Sequence, residues 1–535
     1  MPCVSRRLFG TNENDGRTMS TVMQREAAVQ IPTEVTVPEG RGDLSARAAE
    51  DPSATLDKEV LKRWRMGFHI MPPTGWLNDP NGLCQFRGVY HVFHQYSPEW
   101  PQPHAPRGWG HVTSRDLVRW EHHGMVLAPD TPDDASGAYS GSAAVVPGAA
   151  SDGGDQLRLY YTGNVKEPGD HDYIHTGRQA NEILVTSDDA QVFSAKRVFM
   201  RNADYPVVCS LHVRDPKVWQ QDGCWWMLLG ARDLFDRGMV LIYRSEDGLA
   251  WEEYSIVRPT AEFGFMWECP DRICLDGCEY LALCPQGMEE RPWANGQRDQ
   301  AGYIPLEAGE RLIDVTAVDP ARFERWDKGF DFYAPQTFVD DAGRTILIGW
   351  MGMPIAPYES APAGLAWCHC LTVPRLLTRG ANGLVAQVPV PELEALRESH
   401  CELASSGKVE LDGRRADVVL DGIAGDISLV LDGVLEIACA EGELSLVFHY
   451  RESDGHSVGA GRTRRTCAAG ELHDLRVLVD GSAVEVFANG GLQVMATRWF
   501  PTAEHLSLEL RGTCASADIW SMGDGMAETY RSADR

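Results

Sequence analysis

The sequence has no apolar run that approaches the ~18 residues of a membrane span. Its longest, Cys224 to Ala231, has the length of a buried strand. The first 30 residues lack the apolar stretch of a secretory signal. Basic residues are scarce: 49 Lys and Arg stand against 77 Asp and Glu, a net charge of −28. That leaves no basic footprint for nucleic acid and disfavours a polyanionic substrate or an anionic membrane surface. A neutral small molecule fits this balance best. The 14 cysteines contain no C-x-x-C and are scattered, so they read as free thiols in a reducing cytoplasm. Cys269, Cys274, Cys278 and Cys284 form the densest group, but its spacings match no usual zinc pattern. The histidines offer no metal pair. His91 and His94 are three apart on a strand and point to opposite faces, His122 and His123 diverge, and His111 reads as a packed, hydrogen-bonded residue. No metal and no cofactor is expected.

What is present is globular. Hydrophobic residues make up 43% and charged residues 24% of 535, enough for more than one packed domain. Residues 1–55 are polar and aperiodic and read as a flexible tail, within which Met19 and Met23 leave a later start open. From Arg63 to Val390 the pattern is strand-like. A turn followed by an aromatic and aliphatic strand recurs at Gly88, Gln156, Gly223, Gly277 and Gly343, at spacings of 68, 67, 54 and 66 residues. A second element, Ser-x-Asp-x-x-x-aromatic, follows three of these: Ser114, Asp116, Trp120; Ser187, Asp189, Phe193; Ser245, Asp247, Trp251. Its Asp suits a tight turn and its aromatic a layer between sheets. Five such units predict an all-β fold whose first part is a five-bladed β-propeller over 56–387. Leu393, Leu396 and their flanking carboxylates have helical spacing and predict a linking helix over 388–400. Alternating runs from Cys401 onward predict a C-terminal β-sandwich over 401–535, with no chemical motif of its own.

Just before each recurring strand lies a polar cluster: Asn78-Asp79-Pro80, Tyr139-Ser140, Arg214-Asp215-Pro216, Glu268-Cys269-Pro270 and Tyr333-Ala-Pro-Gln336. The first strand of a propeller blade lines the central channel, so equivalent strand starts converge on one mouth. Three of the five carry a carboxylate, Asp79, Asp215 and Glu268. Crowding them costs electrostatic energy that a structural role does not explain. Three carboxylates without metal-type histidines suit glycosyl chemistry, in which a retaining enzyme pairs a nucleophile with an acid/base. Arg214 is expected to keep Asp215 ionised, and the apolar neighbours Phe265, Met266 and Trp267 to favour the protonated form of Glu268.

With these motifs the sequence resembles glycoside hydrolase family 32, the β-fructofuranosidases, from about Met66 to Phe500. Trp76 to Gly82 is similar to that family's Trp-Met-Asn-Asp-Pro-Asn-Gly signature, with Leu77 in place of Met. Phe93-His-Gln-Tyr, Trp109-Gly-His, Asp331-Phe-Tyr-Ala-Pro-Gln and Val484-Glu-Val-Phe match as well. The resemblance implies a propeller followed by a sandwich. It implies Asp79 as nucleophile, Glu268 as general acid and then base, and Asp215 as transition-state stabiliser. It also implies substrate contacts at Asn78, Gln95, Trp100, Tyr139, Ser140 and Arg214, where Tyr139 stands in place of a common Phe. The expected reaction is retaining hydrolysis of terminal β-fructofuranosyl residues of sucrose and short fructo-oligosaccharides.

Other readings share parts of this evidence. A fructosyltransferase would use the same fructosyl-enzyme with another acceptor. A sucrose-6-phosphate hydrolase would need cationic groups near the leaving sugar, for which Arg291 and Arg298 are the loop candidates. A non-catalytic sugar-binding homologue would have no use for all three carboxylates, and arabinan- or xylan-cleaving propellers lack the Trp-x-Asn-Asp-Pro-Asn-Gly run. The sequence leaves substrate length and oligomeric state open.

Overall fold

The structure is a computed structural model describing residues 58–289, 296–362, 364–380, 382–403, 406–450 and 458–526. The expected tail at 1–55, with Met19 and Met23, and Arg291 lie outside the described residues. After a short helix, Lys58–Arg63, the regular secondary structure of the described chain is almost all strand. Five successive sheets come first, each a meander whose first strand is Gly75–Phe86, Ala138–Val146, Cys209–Gln221, Met266–Leu275 or Tyr333–Val339. These five inner strands pack side by side in order, and the fifth also packs on the first. Two six-stranded sheets follow, formed from Arg397 to Met522.

The strands after the first are apolar on both faces because both faces are covered. Leu157, Leu159 and Tyr161 join Phe93 and Trp109 in the layer between sheets one and two. Tyr160, on the opposite face, joins Trp225 and Met227 between sheets two and three. Trp226 and Leu228 point the other way, toward Leu281 and Leu283 of sheet four. The same alternation continues through Tyr280, Ile346 and Val92, which share one cluster. The Ser-x-Asp turns close the third strands as expected. Asp189 accepts the backbone N–H groups of Gln191 and Val192, both at 2.8 Å, and Asp116 and Asp247 act likewise. Their aromatics Trp120, Phe193 and Trp251 each enter an inter-sheet layer.

The linking segment differs from the expected helix over 388–400. It makes a 3-10 helix at Pro391–Leu396 only, after the strand Val385–Pro389. At Arg397 it becomes a strand, because Arg397–Glu402 pairs with Ser516–Met522 at the sandwich edge and Leu393 and Leu396 are already buried.

A buried ionic junction ties this sandwich to the sheets. The His69 ring lies between Asp480, 2.8 Å from Nδ1, and Glu485, 2.9 Å from Nε2. Asp480 also accepts the N–H groups of Gly67, Phe68 and His69. Glu485 accepts from Arg375 of sheet five, which also pairs with Asp327 at 3.2 Å. Nearby, Arg462 and the backbone N–H of Arg498 satisfy Asp331. The side chains of His69, Asp480, Glu485, Arg375 and Asp327 are fully buried, so removing one partner strands a charge, at about 3–5 kcal/mol. Glu485 and Asp331 belong to two of the recognisable sequence motifs, and both serve this junction rather than the channel.

Burial alone would lower the His69 pKa, but the hydrogen bonds and charges of Asp480 and Glu485 raise it to about 9. A group held above its unfolded value of 6.5 stabilises the fold fully below that pH and loses the contribution as pH rises through about 9. Urea midpoints of the wild-type protein are therefore expected to fall between pH 6.5 and about 9. His69→Gln should lower the midpoint at pH 6.5 and flatten its pH dependence across that window. Parallel curves for the two proteins would contradict the assignment.

Candidate active site

Each of the five inner strands breaks its pairing at one level. The ladder slips between Leu77 and Pro80, between Ala138 and Gly141, across Asp215 and Pro216, between Glu268 and Asp271, and between Tyr333 and Gln336. Three of these bulges contain a proline and a fourth ends on one, Pro80, and proline has no N–H to give to a ladder. At three of them the residue before proline is left-handed: Asp215 (φ 67°), Cys269 (φ 47°) and Ala334 (φ 45°). A bulge frees consecutive side chains from strict alternation and re-aims them.

Aligned on the residue before proline, Asp79, Asp215, Cys269 and Ala334 occupy one level, which Ser140 joins through its contact with Asp79. Asp79, Ser140, Asp215 and Cys269 meet at atomic contact. Ser140 donates to Asp79 Oδ2 at 2.5 Å, and Cys269 Sγ lies 4.0 Å from that oxygen and 3.7 Å from Asp215 Oδ2. The residue before each forms a second level: Asn78, Tyr139, Arg214, Glu268 and Tyr333. Here Arg214 donates to Glu268 Oε1 at 2.8 Å, and Tyr333 donates to Oε2 at 2.8 Å. Asn78 links the levels by donating to Asp79 Oδ1 at 3.0 Å, and its own oxygen accepts from Trp76 at 2.9 Å. Glu268 is therefore one residue out of register with the two aspartates, not equivalent to them as its strand-start position suggested.

The electrostatics also differ from the sequence expectation. Arg214 hydrogen-bonds Glu268 and stays 3.9 Å from Asp215. Burial pushes Asp215 up to about 7, with the Arg214 charge pulling down and the Glu268 charge pushing up. Arg214 thus does not keep it in the ordinary carboxylate range, because its short contacts go elsewhere. Burial pushes Asp79 up to about 6, against the lowering hydrogen bond from Ser140. Glu268 keeps 18% of its side chain exposed, against 4% for Asp215, and its partners are a cation and a phenol rather than the apolar neighbours expected.

Among the other residues singled out from sequence, Gln95 is buried and donates to the Ala138 carbonyl at 2.8 Å. Trp100 packs 5.9 Å from Trp76, whose ring also meets His369 at 4.4 Å. Tyr139 is half-buried, and its carbonyl accepts from Trp109 at 2.9 Å. Sequence reasoning weighed Cys269 only as a zinc candidate and passed over the buried carboxyl of Asp299, which burial pushes up to about 6 near Glu268. It also passed over Lys217 paired with Asp271 at 3.0 Å below the carboxylates. Counting from the residue before proline to the following Gly would have shown the true register: Asp79, Asp215, Cys269 and Ala334 lie 9, 8, 8 and 9 residues ahead. Arg298 is exposed and bonds the Met288 carbonyl.

Among the described residues, no group of three or more His, Cys, Asp or Glu is arranged to hold a metal. His91 stacks with His111 and Phe93, whereas His94 meets Tyr96 and His122. Cys269 and Cys284 lie at the site end of their hairpin, and Cys274 and Cys278 flank its distant turn.

Known proteins match this chain over most of its length. Residues 69–389 match the glycosyl hydrolases family 32 N-terminal domain, and residues 445–521 match the family 32 C-terminal domain. The chain belongs to glycoside hydrolase family 32. It is an enzyme of the glycoside hydrolase class. Sucrose-6-phosphate hydrolase of Bacillus subtilis (strain 168) is 35% identical over 451 residues, covering 82% of this chain and 89% of that protein. Raffinose invertase of Escherichia coli is 34% identical, covering 85% and 94%. Among solved structures, sucrose-6-phosphate hydrolase from Lactobacillus gasseri superposes with TM-score 0.73 at 27% identity, covering 88% of this chain and 97% of that one. A family 32 beta-fructofuranosidase of Bombyx mori superposes with TM-score 0.72 at 25% identity, covering 90% and 98%.

The Ser140 hydrogen bond favours ionised Asp79. Ser140→Ala should therefore move the acidic limb of kcat/KM to higher pH, by about one unit for a bond to a charged group. An unmoved limb, with folding intact by circular dichroism, would show that Asp79 does not set it.

Proposed function

We propose that this family 32 enzyme hydrolyses terminal β-D-fructofuranosyl residues of sucrose and short fructo-oligosaccharides with retention of configuration. The one-residue offset between Asp79 and Glu268 carries the reading. It presents one carboxylate pinned by two donors and a second held by Arg214 and Tyr333, as a nucleophile and an acid/base require. An Asp79 oxygen attacks the anomeric carbon while Glu268 passes its proton to the leaving oxygen. Water then attacks the fructosyl ester, yields its proton to Glu268, and frees Asp79. Asp215 lies where an oxocarbenium-like centre would favour its anion, which suits a stabiliser that also holds sugar hydroxyls. Asn78, Gln95, Trp100, Tyr139, Ser140 and Arg214 are assigned to substrate binding. Trp100 backs Trp76 at the mouth as a platform for a sugar face, and Arg214 and Asn78 hold the two carboxylates.

The five sheets are read as blades of one closed propeller, supported by the side-by-side packing of the inner strands and the contact of the fifth with the first. The sandwich is read as a second domain. Thirteen free cysteines among the described residues support a reducing, cytoplasmic location. No helix of the described residues is long and apolar enough to cross a membrane. A second reading, sucrose 6-phosphate as substrate, draws on the names of the relatives. Comparing kcat/KM on sucrose, sucrose 6-phosphate, kestose and inulin separates the two, and product analysis at high sucrose separates hydrolysis from transfer.

Asp79→Ala should abolish activity on every fructoside. Glu268→Ala should cost on the order of 10²–10⁴-fold on sucrose and far less on a fructoside with an activated leaving group, which needs no proton. Equal losses on both substrates would remove the acid role from Glu268.

Early product is expected to be the β-anomer of fructose, read by NMR before mutarotation. Initial release of the α-anomer would mean inversion and would end the nucleophile role of Asp79.

A further inference from the structure

Behind Asp215, away from the sugar-facing carboxylates, lies a buried acid that the mechanism above does not use. Glu182 is fully buried on the third strand of sheet two and faces Thr162 across the ladder. Thr162 Oγ1 lies 3.1 and 3.0 Å from its two oxygens and accepts the Asp215 N–H at 3.0 Å. Tyr205 Oη lies 3.1 Å from Glu182 Oε1 and 3.0 Å from the Ala180 carbonyl. The described hydrogen bonds to Glu182 come from these hydroxyls alone.

Counting protons decides its state. Tyr205 has one hydroxyl proton and two oxygens within reach. If Glu182 were an anion, that proton would serve either Glu182 or Ala180, and the other contact would set lone pairs against each other in a buried site. A proton on Glu182 Oε1 removes the conflict. Every bond then runs in one direction: Asp215 N–H to Thr162, Thr162 O–H to Glu182 Oε2, Glu182 O–H to Tyr205, and Tyr205 O–H to the Ala180 carbonyl. Burial and the charge of Asp215 act in the same sense, against the lowering bonds from Thr162 and Tyr205. The titratable groups facing Glu182 are Asp215, Tyr205 and Tyr243, none of them cationic.

We propose that Glu182 is a positioning residue kept as a neutral acid, which through Thr162 anchors the left-handed backbone of Asp215. A non-glycine residue at φ 67° persists only where its surroundings over-determine it. The Asp215 amide is held from one side by this chain, and its carboxylate is held from the other by the Cys269 N–H at 2.9 Å. A neutral Glu182 does this without adding a fourth negative charge beside Asp79, Asp215 and Glu268.

The test uses the whole enzyme with Glu182→Leu, Glu182→Gln and Thr162→Val. Glu182→Leu and Thr162→Val should lower kcat about 10- to 100-fold, as misplacement of a reacting group does, with KM changing less. Glu182→Gln keeps one donor and one acceptor without charge. It should restore kcat to within about threefold and reproduce the wild-type pH profile, since an amide can still donate to Tyr205 and accept from Thr162, with one further N–H to accommodate. The infrared difference spectrum of wild type against Glu182→Gln at pH 8 should contain a carboxylic-acid carbonyl band rather than carboxylate bands. A Glu182→Gln enzyme as slow as Glu182→Leu, an acidic limb moved by the amide, or carboxylate bands in the difference spectrum would each overturn the proposal. It rests on the reading of Asp215 as a sugar-facing group. If wild type releases no hexose from sucrose, that reading fails, whereas the infrared arm still decides the protonation of Glu182.

Discussion

A strand that lines a narrow channel meets a geometric limit: regular pleating sends every second side chain back into the sheet. The inner strands escape it by breaking their ladders at the same level, where in four of the five a proline withholds an N–H. Everything else at the channel mouth depends on that break. It lets Asn78 and Asp79 both serve the mouth, and likewise Arg214 and Asp215. It also places Cys269, a neutral thiol, on the level of the two aspartates, so Glu268 reaches the site from the level above.

This arrangement sorts the charges. Asp79 and Asp215 share their level with a hydroxyl, a thiol and a methyl, and burial pushes both upward. The Arg214 guanidinium makes its short contacts with Glu268 and only partly offsets the rise at Asp215. The site is thus high in electrostatic energy when empty, and a positively charged transition state would relieve it most. The repulsion among the carboxylates is offset elsewhere, by deep apolar layers between consecutive sheets and by a saturated ionic junction with the sandwich.

Much of this was legible in the sequence. Strand-length apolar runs, the turn residues and the approximate repeat all reflect local chemistry, and the Ser-x-Asp turns fold as their hydrogen-bonding capacity dictates. Asp79, Asp215 and Glu268 could be named because each carboxylate stands within two residues of a proline ahead of a recurring strand. The one-residue offset of Glu268 was not legible from the charged residue itself, since it depends on where a bulge falls in pairing with another strand. The partner of Arg214 was misread for a related reason. Sequence adjacency pairs it with Asp215, whereas the short contact comes from the neighbouring inner strand. Glu182 gave no signal, because a lone acid in Asn-Glu-Ile-Leu looks like any strand residue until its hydroxyl neighbours are known. The helix expected at 388–400 was cut short by pairing with the strand Ser516–Met522, more than a hundred residues away.

The junction around His69 has a consequence for how such chains can be recombined. Its charges come from the segment before the first sheet, from the fifth sheet and from the sandwich, three stretches far apart in sequence. A crossover between sheets and sandwich that swaps Glu485 or Asp480 without His69 and Arg375 would leave unmatched charge sealed in the interior. The sheets and the sandwich would therefore have to be exchanged together, and the seam for grafting new specificity lies in the loops of the mouth, not between sheets and sandwich.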